Sequence, residues 1–361
     1  MITKPTLLLD EEICKKNIKA MFLKAQNNKV IFRPHFKTHQ SLEIGNWFKE
    51  LGVDKITVSS LEMAVYFSKE WNDITVAFPV NILEIETINE LAQKVQLNLL
   101  IESAETINFL KEHLKHEVGF FIKIDVGYHR TGIASTNTAK IDEILAISND
   151  NHQLNFKGFL AHAGHTYKCR STNEIIAIHK ESIQFLIALK IIYQKRFSDL
   201  IISVGDTPSC SVADNFSEVD EIRPGNFVFY DLTQNQIGSC SIDEIAVAMA
   251  CPIVAIHKER NEIVVYGGGV NLSKDRLEDT KLGTLFGYVA EKKNTSWGAL
   301  IPNMYVKSLS QEHGIIAVPE SNISNYKVGD YLIILPVHSC MAANLMKTYT
   351  TTKSQKIITR L

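Results

Sequence analysis

The chain has 361 residues, 45% of them hydrophobic and 22% charged, with 38 basic residues against 40 acidic ones and a formal net charge of −2. High apolar content with little net charge excludes a disordered chain, and the charge balance excludes a nucleic-acid protein held by a broad basic surface. No run approaches the roughly eighteen apolar residues that a membrane span needs, since Lys190 interrupts the nearest one at 185–193.

The opening MITKPTLLLDEE lacks a signal-peptide core, and six scattered cysteines without a C-x-x-C pair read as reduced thiols, so a cytoplasmic protein is expected. In chain order, residues 5–9 read as a strand. Short apolar, β-branched runs at 30–32, 55–58, 74–77, 97–100, 119–124, 156–161 and 200–203 then read as strands, with an eighth inside 219–229. Helical patterns at 42–51, 61–67, 82–95, 104–114, 139–147 and 173–194 separate them. Such alternation implies right-handed βαβ units and a parallel sheet, and eight units imply a closed (β/α)8 barrel of the TIM type. An open doubly wound sheet is the rival. From about 245 the strand-like runs 247–256, 262–266, 314–318 and 331–335 follow one another without helices between them. The expected organisation is therefore α/β, with a barrel over 10–240 followed by a mainly β domain over 241–361 that residues 1–9 join.

A barrel of this kind carries its chemistry in the loops after the strands. Those after strands seven and eight hold Gly205, Thr207, Ser209, Gly225 and Asn226, groups able to donate hydrogen bonds to a phosphate. The same residue types also make ordinary turns, and position alone leaves both readings open. Most lysines are solvated surface charges. Lys37, however, lies directly beyond an apolar strand, between His35 and His39 and near Arg33. Neighbouring cations and partial burial lower an amine's pKa, which Schiff-base chemistry requires. A lysine of that kind facing a phosphate cradle suggests pyridoxal 5'-phosphate. His338 and Cys340, two apart beyond a strand, would share one side in extended backbone and would suit zinc. From spacing alone, a surface histidine beside a buried cysteine is the readier reading.

The segments RPHFKTHQS, DVGYHRTG, HAGHTY, GDTPSCS, EIRPGNFVFYD, SQEHG and PVHSC occur in that order over nearly the whole chain. Together they resemble the D-serine dehydratase and D-threonine aldolase family, relatives of alanine racemase. The resemblance implies a pyridoxal-phosphate enzyme with an alanine racemase-type N-terminal barrel and a C-terminal β domain, forming a homodimer with shared active sites. It implies Lys37 as the Schiff-base lysine, Arg130 and Tyr167 around the cofactor ring, and Thr207, Gly225 and Asn226 on its phosphate. His165, in the same mouth loop as Tyr167, is a further cofactor candidate with packing as its alternative. His338-x-Cys340 is similar to the zinc pair of the dehydratase members, whereas the aldolases usually show His-x-Asp. The implied reaction converts D-serine to pyruvate and ammonia. A D-threonine aldolase-like lyase and a 3-hydroxyaspartate dehydratase are the near alternatives, and an amino-acid racemase is a more distant one. Two departures bear on specificity: Gln40 stands where the family commonly has Lys, and 265–275 matches the family pattern only in part.

Overall fold

A computed structural model describes residues 2–149, 151–294 and 296–360. Among the described residues one parallel sheet holds eight barrel strands, Ile31–Phe32, Lys55–Val58, Asp73–Pro79, Gln96–Ile101, Val118–Asp125, Leu154–Ala161, Ile201–Val204 and Glu221–Ile222, with the two-residue strand Ile133–Ala134 paired onto the fifth. The eighth pairs with both the seventh and the first, so the sheet curls back on itself. Between the first and second strands the ring closes through a single bridge, His35 to Thr57. There Phe36 N donates to Thr57 O at 2.8 Å and Thr57 N donates to Pro34 O at 2.9 Å. Pro34 has no N–H to give, which is why the pairing continues only beyond it. The closed barrel is thus the arrangement adopted, and the open doubly wound sheet is not.

The strands are buried on both faces, as a parallel sheet wrapped in helices requires, and Val118–Asp125 is covered along nearly its whole length. Serine caps start the surrounding helices: the hydroxyls of Ser60, Ser103 and Ser171 accept from Met63 N, Thr106 N and Glu174 N. The sequence pattern places most of these elements within a few residues, but it misses the long helix Glu11–Asn27, whose polar residues interrupt the apolar stripe.

Among the described residues the second sheet has nine strands. Thr6–Leu9 joins it as expected, antiparallel to Val247–His257 with Leu7 opposite Met249. This part of the chain is not free of helices, contrary to the expectation. Gly269–Leu272, Glu320–Ile323 and Ser339–Met346 are helical. The last of them, SCMAANLM, is rich in alanine, leucine and methionine, which favour helix. It follows directly on the strand Tyr331–Pro336 and returns the chain to the barrel mouth. One continuous apolar core runs through both sheets. Among the described residues no helix is long and apolar enough to cross a membrane.

Candidate active site at the barrel mouth

The loop that follows the first barrel strand is anchored by Phe36. Its fully buried ring packs 5.0 Å from Phe48, 5.1 Å from Phe67 and 5.0 Å from Trp71, centroid to centroid. Adjacent residues of the loop point to different sides, so Lys37 leaves this core and opens toward the mouth. Its backbone N–H faces His35 Nδ1 at 3.4 Å. Desolvation by the surrounding walls lowers the pKa of the Lys37 amine. Cys340 opposes that shift, while Arg130 and Arg223 add to it. Burial, followed by the charge of Lys37, holds His35 and His162 neutral. His162 Nδ1 lies 2.6 Å from Gly205 O and so carries the ring proton toward that carbonyl.

The loops after strands seven and eight meet beside this lysine. Gly205 and Gly225 are bare because the loops touch. A Cβ on Gly205 would lie 2.7 Å from the Arg223 backbone, and one on Gly225 would lie 2.9 Å from His35 O. Their direct observed role is therefore close packing. Asp206 caps the short helix Thr207–Val212 by accepting from Ser209 N at 2.8 Å, and it also accepts from Thr166 Oγ1 at 2.9 Å. Above it, Thr207 Oγ1 and Ser209 Oγ are buried without a hydrogen-bond partner. Two unpartnered buried hydroxyls are costly unless a ligand completes them, and they fit the phosphate of pyridoxal phosphate. Tyr167 lies beside Thr207, and burial, with Asp206 and Cys340 adding, raises the pKa of its hydroxyl.

Asn226 has a different commitment. Its side-chain amide donates to Asp231 Oδ2 at 2.7 Å, Ser339 Oγ at 3.0 Å and Cys340 Sγ at 3.3 Å. A side chain so engaged leaves its backbone as the means of meeting a phosphate. Asp231, fully buried, also accepts from Ser339 N at 3.0 Å and Ser339 Oγ at 3.2 Å. These bonds pin the strand-to-helix turn that carries His338 and Cys340. The expectation of extended backbone at this pair is corrected: His338 caps the helix Ser339–Met346, and Cys340 lies in its first turn. The two side chains still meet, each in hydrogen-bonding reach of the other. Burial alone would lower the His338 pKa, but bonds to Asp275 and Cys340 raise it to about 11. Burial likewise opposes ionisation of Cys340, yet His338, Lys37 and Thr38 together lower its pKa. A histidine nitrogen and a cysteine sulfur within reach of each other form a donor pair that fits zinc. Among the described residues no group of three or more His, Cys, Asp or Glu side chains converges on one point. Any ion here would therefore keep positions open for solvent or substrate.

The structure brings Lys37, Arg130, Tyr167 and Cys340 into one electrostatic neighbourhood. His165 sits further out. It stacks on Tyr128 at 6.3 Å, and Arg130 lies over the same ring at 5.0 Å. Sequence reasoning assigned no role to Lys123, Arg223, Asp231 or Asp275. Lys123 is buried within the fifth strand, where burial, aided by Arg223 and Arg130, lowers its pKa to about 7. Its signal was a lysine inside the apolar run VGFFIKID. Arg223, also buried, donates from Nε to Ser203 Oγ at 2.6 Å and from Nη2 to Ala161 O at 2.7 Å. A cavity of about 780 Å3 opens at the opposite end of the barrel, among Arg33, Lys55, Asp73 and Lys157, away from this site.

A barrel with a lysine at its mouth, capped by a β sheet that returns a His-x-Cys turn to that lysine, defines an alanine racemase-like architecture. Two family models agree: the alanine racemase N-terminal domain matches residues 9–232 and a serine dehydratase domain matches 246–352. D-serine dehydratase of Dictyostelium discoideum is 31% identical, over 96% of this chain and 93% of that protein. D-threo-3-hydroxyaspartate dehydratase of Delftia sp. (strain HT23) is 26% identical, over 96% of this chain and 93% of its own. The solved structure of the latter superposes with a TM-score of 0.90 at 23% identity, covering 100% of this chain and 98% of that one. The chain belongs to the D-serine dehydratase family of alanine racemase-type proteins.

Proposed function

We propose that this chain is a pyridoxal-phosphate-dependent, zinc-assisted lyase that eliminates water from D-serine, releasing pyruvate and ammonia after hydrolysis of the enamine product. The observation that carries this reading is the placement of Cys340 against the Lys37 loop, since a thiolate next to a histidine is the donor pair of a dehydratase-like site. Pyridoxal phosphate supplies an aldehyde for amines and an electron sink for negative charge developing at Cα. Zinc on His338 and Cys340 supplies Lewis-acid polarisation of a hydroxyl leaving group.

The chain's own groups divide the remaining work. Lys37, its amine made less basic by desolvation, would hold the cofactor at rest and take the Cα proton of the substrate. Thr207 and Ser209 would hold the phosphate through their unpartnered hydroxyls, with Gly205, Gly225 and Asn226 shaping the cradle. Arg130 and Tyr167 would flank the cofactor ring, with Arg130 lying over Tyr128, on which His165 stacks. A cysteine-to-alanine variant of a D-threo-3-hydroxyaspartate dehydratase is known in a metal-free form, which accords with a metal-bearing thiolate.

The division into a barrel over 10–240 and a β domain over 241–361 belongs to the same reading, as does a cytoplasmic place, with which six free cysteines accord. So does a homodimer. Phe78 (58% exposed) and Leu83 (88% exposed) stand at the mouth end of the third strand beside an apolar recess of about 280 Å3, a patch suited to a second copy. Light scattering on wild type and Leu83→Lys tests the dimer, the expected result being a dimer in the first and a monomer in the second.

Assaying D-serine, D-threo-3-hydroxyaspartate and D-threonine side by side tests the reaction. Pyruvate from D-serine supports it. Glycine and acetaldehyde from D-threonine without pyruvate from D-serine would replace it with an aldolase, and interconversion of enantiomers without cleavage would replace it with a racemase.

A further inference from the structure

The segment around Asp275, which the sequence matches to the family pattern only in part, is brought by the fold to the His-x-Cys turn. Asp275 Oδ2 lies 3.2 Å from His338 Nδ1. The carboxylate is itself held, because Ser273 Oγ donates to Asp275 Oδ2 at 2.8 Å. The same hydroxyl accepts from Asp275 N at 3.2 Å. Ser273 adopts φ +69°, a conformation that non-glycine residues seldom take, and this turn aims the carboxylate at the imidazole. A shared mouth geometry supports the arrangement: the short helix Gly269–Leu272, which begins this segment, packs on the helix that carries Cys340.

Two roles are open to a carboxylate in this position, ligand or orienting partner. Asp275, His338 and Cys340 do not converge as a three-residue cage, in keeping with the absence of any such group among the described residues. The carboxylate instead engages Nδ1, which leaves Nε2 as the ring nitrogen free for an ion. We propose that Asp275, held by Ser273, is the positioning residue of the metal site: it fixes the tautomer and ring orientation of His338, so that Nε2 and Cys340 Sγ bind one divalent cation together. Histidine ligands commonly rely on such a carboxylate, and losing it typically costs 10- to 100-fold in metal affinity. The inference rests on the metal reading above.

The test measures zinc affinity of the cofactor-loaded protein by competition with a chromophoric chelator, in wild type, Asp275→Asn, Asp275→Ala, Ser273→Ala and His338→Ala. The expected result is a zinc dissociation constant about 10- to 100-fold weaker in Asp275→Ala. Asp275→Asn, which keeps an acceptor for Nδ1–H, falls between it and wild type, and Ser273→Ala shows a smaller loss. Cobalt-loaded Asp275→Asn should retain the thiolate-to-cobalt absorption band while its ligand-field bands shift, a signature that a purely structural role for Asp275 would not produce. The pair is about 40% exposed, so circular dichroism and urea unfolding should match wild type in the Asn variant. Zinc affinity within twofold of wild type in both Asp275 variants, with metal lost in His338→Ala, overturns the positioning role and leaves the metal site standing. Wild-type affinity in His338→Ala overturns the metal reading itself.

Discussion

Cys340 Sγ lies 3.2 Å from the hydroxyl of Thr38, the residue that follows Lys37. One partner belongs to the loop after the first barrel strand and the other to the last long helix of the chain, 302 positions later. The contact ties the lysine loop to the helix that bears Cys340. In the proposed reaction Lys37 handles the Cα proton and Cys340 handles the leaving hydroxyl. Lys37→Ala should therefore abolish the borohydride-trapped cofactor adduct at this position and lower kcat/KM for D-serine by about 10³-fold or more, the scale of a lost base combined with a lost anchor. Peptide mapping that finds the adduct on another lysine refutes the assignment.

Removing the metal should be reversible. Dialysis against a chelator should abolish pyruvate formation from D-serine, and added zinc should restore it. Cys340→Ala should lower kcat by about 10²-fold or more and resist rescue by zinc, because Lewis-acid assistance is worth several kcal/mol. Cofactor absorbance should survive in this variant, since Thr207, Ser209 and Lys37 are untouched. Full activity in Cys340→Ala removes the metal from the mechanism.

Lys123 makes a pH prediction. Its pKa falls from 10.5 to about 7 in the folded chain, chiefly through burial. Between these values the unfolded chain binds the extra proton, so stability rises with pH across that window and the penalty is fully present below about pH 7. Lys123→Met removes the penalty. The variant should gain up to a few kcal/mol over wild type at pH 6 to 7, and the gain should vanish toward pH 10. Urea unfolding at a series of pH values measures it, and a difference that does not change with pH rules it out.

Asp231 makes a structural prediction. It accepts from Asn226, from the backbone and hydroxyl of Ser339, and from Gln234 N. Asp231→Ala leaves those donors unpaired in a buried place, at a cost of about 2–5 kcal/mol. The turn bearing His338 and Cys340 should loosen, so thermal unfolding should shift down and zinc affinity should fall together. Asp231→Asn should not rescue either property, because its amide brings donors where acceptance is needed.

The barrel was legible because periodicity is a local property. Runs such as Lys55–Val58 and Leu61–Phe67 declare strand and helix by themselves, and their alternation dictates a parallel sheet. The placement of Lys37, Thr207 and Ser209 beyond barrel strands was legible because strand ends mark the mouth of a barrel. The partners that organise the site were not. Asp231 and Ser339 are 108 positions apart, and Arg223 meets Ala161 over 62. Such long-range polar pairings leave no period in the sequence. Ser339–Met346 was missed for another reason: one short helix embedded among strands has too few turns to show a stripe.

Gln40 offers the sharpest check on a departure from the family. It is buried with φ +48°, its Oε1 accepts from Arg360 Nε at 3.3 Å and Nη2 at 3.2 Å, and its Nε2 donates to Asn344 Oδ1 at 3.1 Å. Arg360 N donates to Gln40 O at 2.8 Å, so the end of the chain is tied to the lysine loop, while the guanidinium also pairs with Glu62. The cation at this place arrives on Arg360, and the glutamine serves as its acceptor. Gln40→Lys should thus set an ammonium against the guanidinium and cost about 2–4 kcal/mol. Combining it with Arg360→Gln should recover most of that loss, a coupling that a double-mutant cycle in urea reads directly. Additive effects of the two substitutions would show that the tie between the lysine loop and the chain end carries no energy.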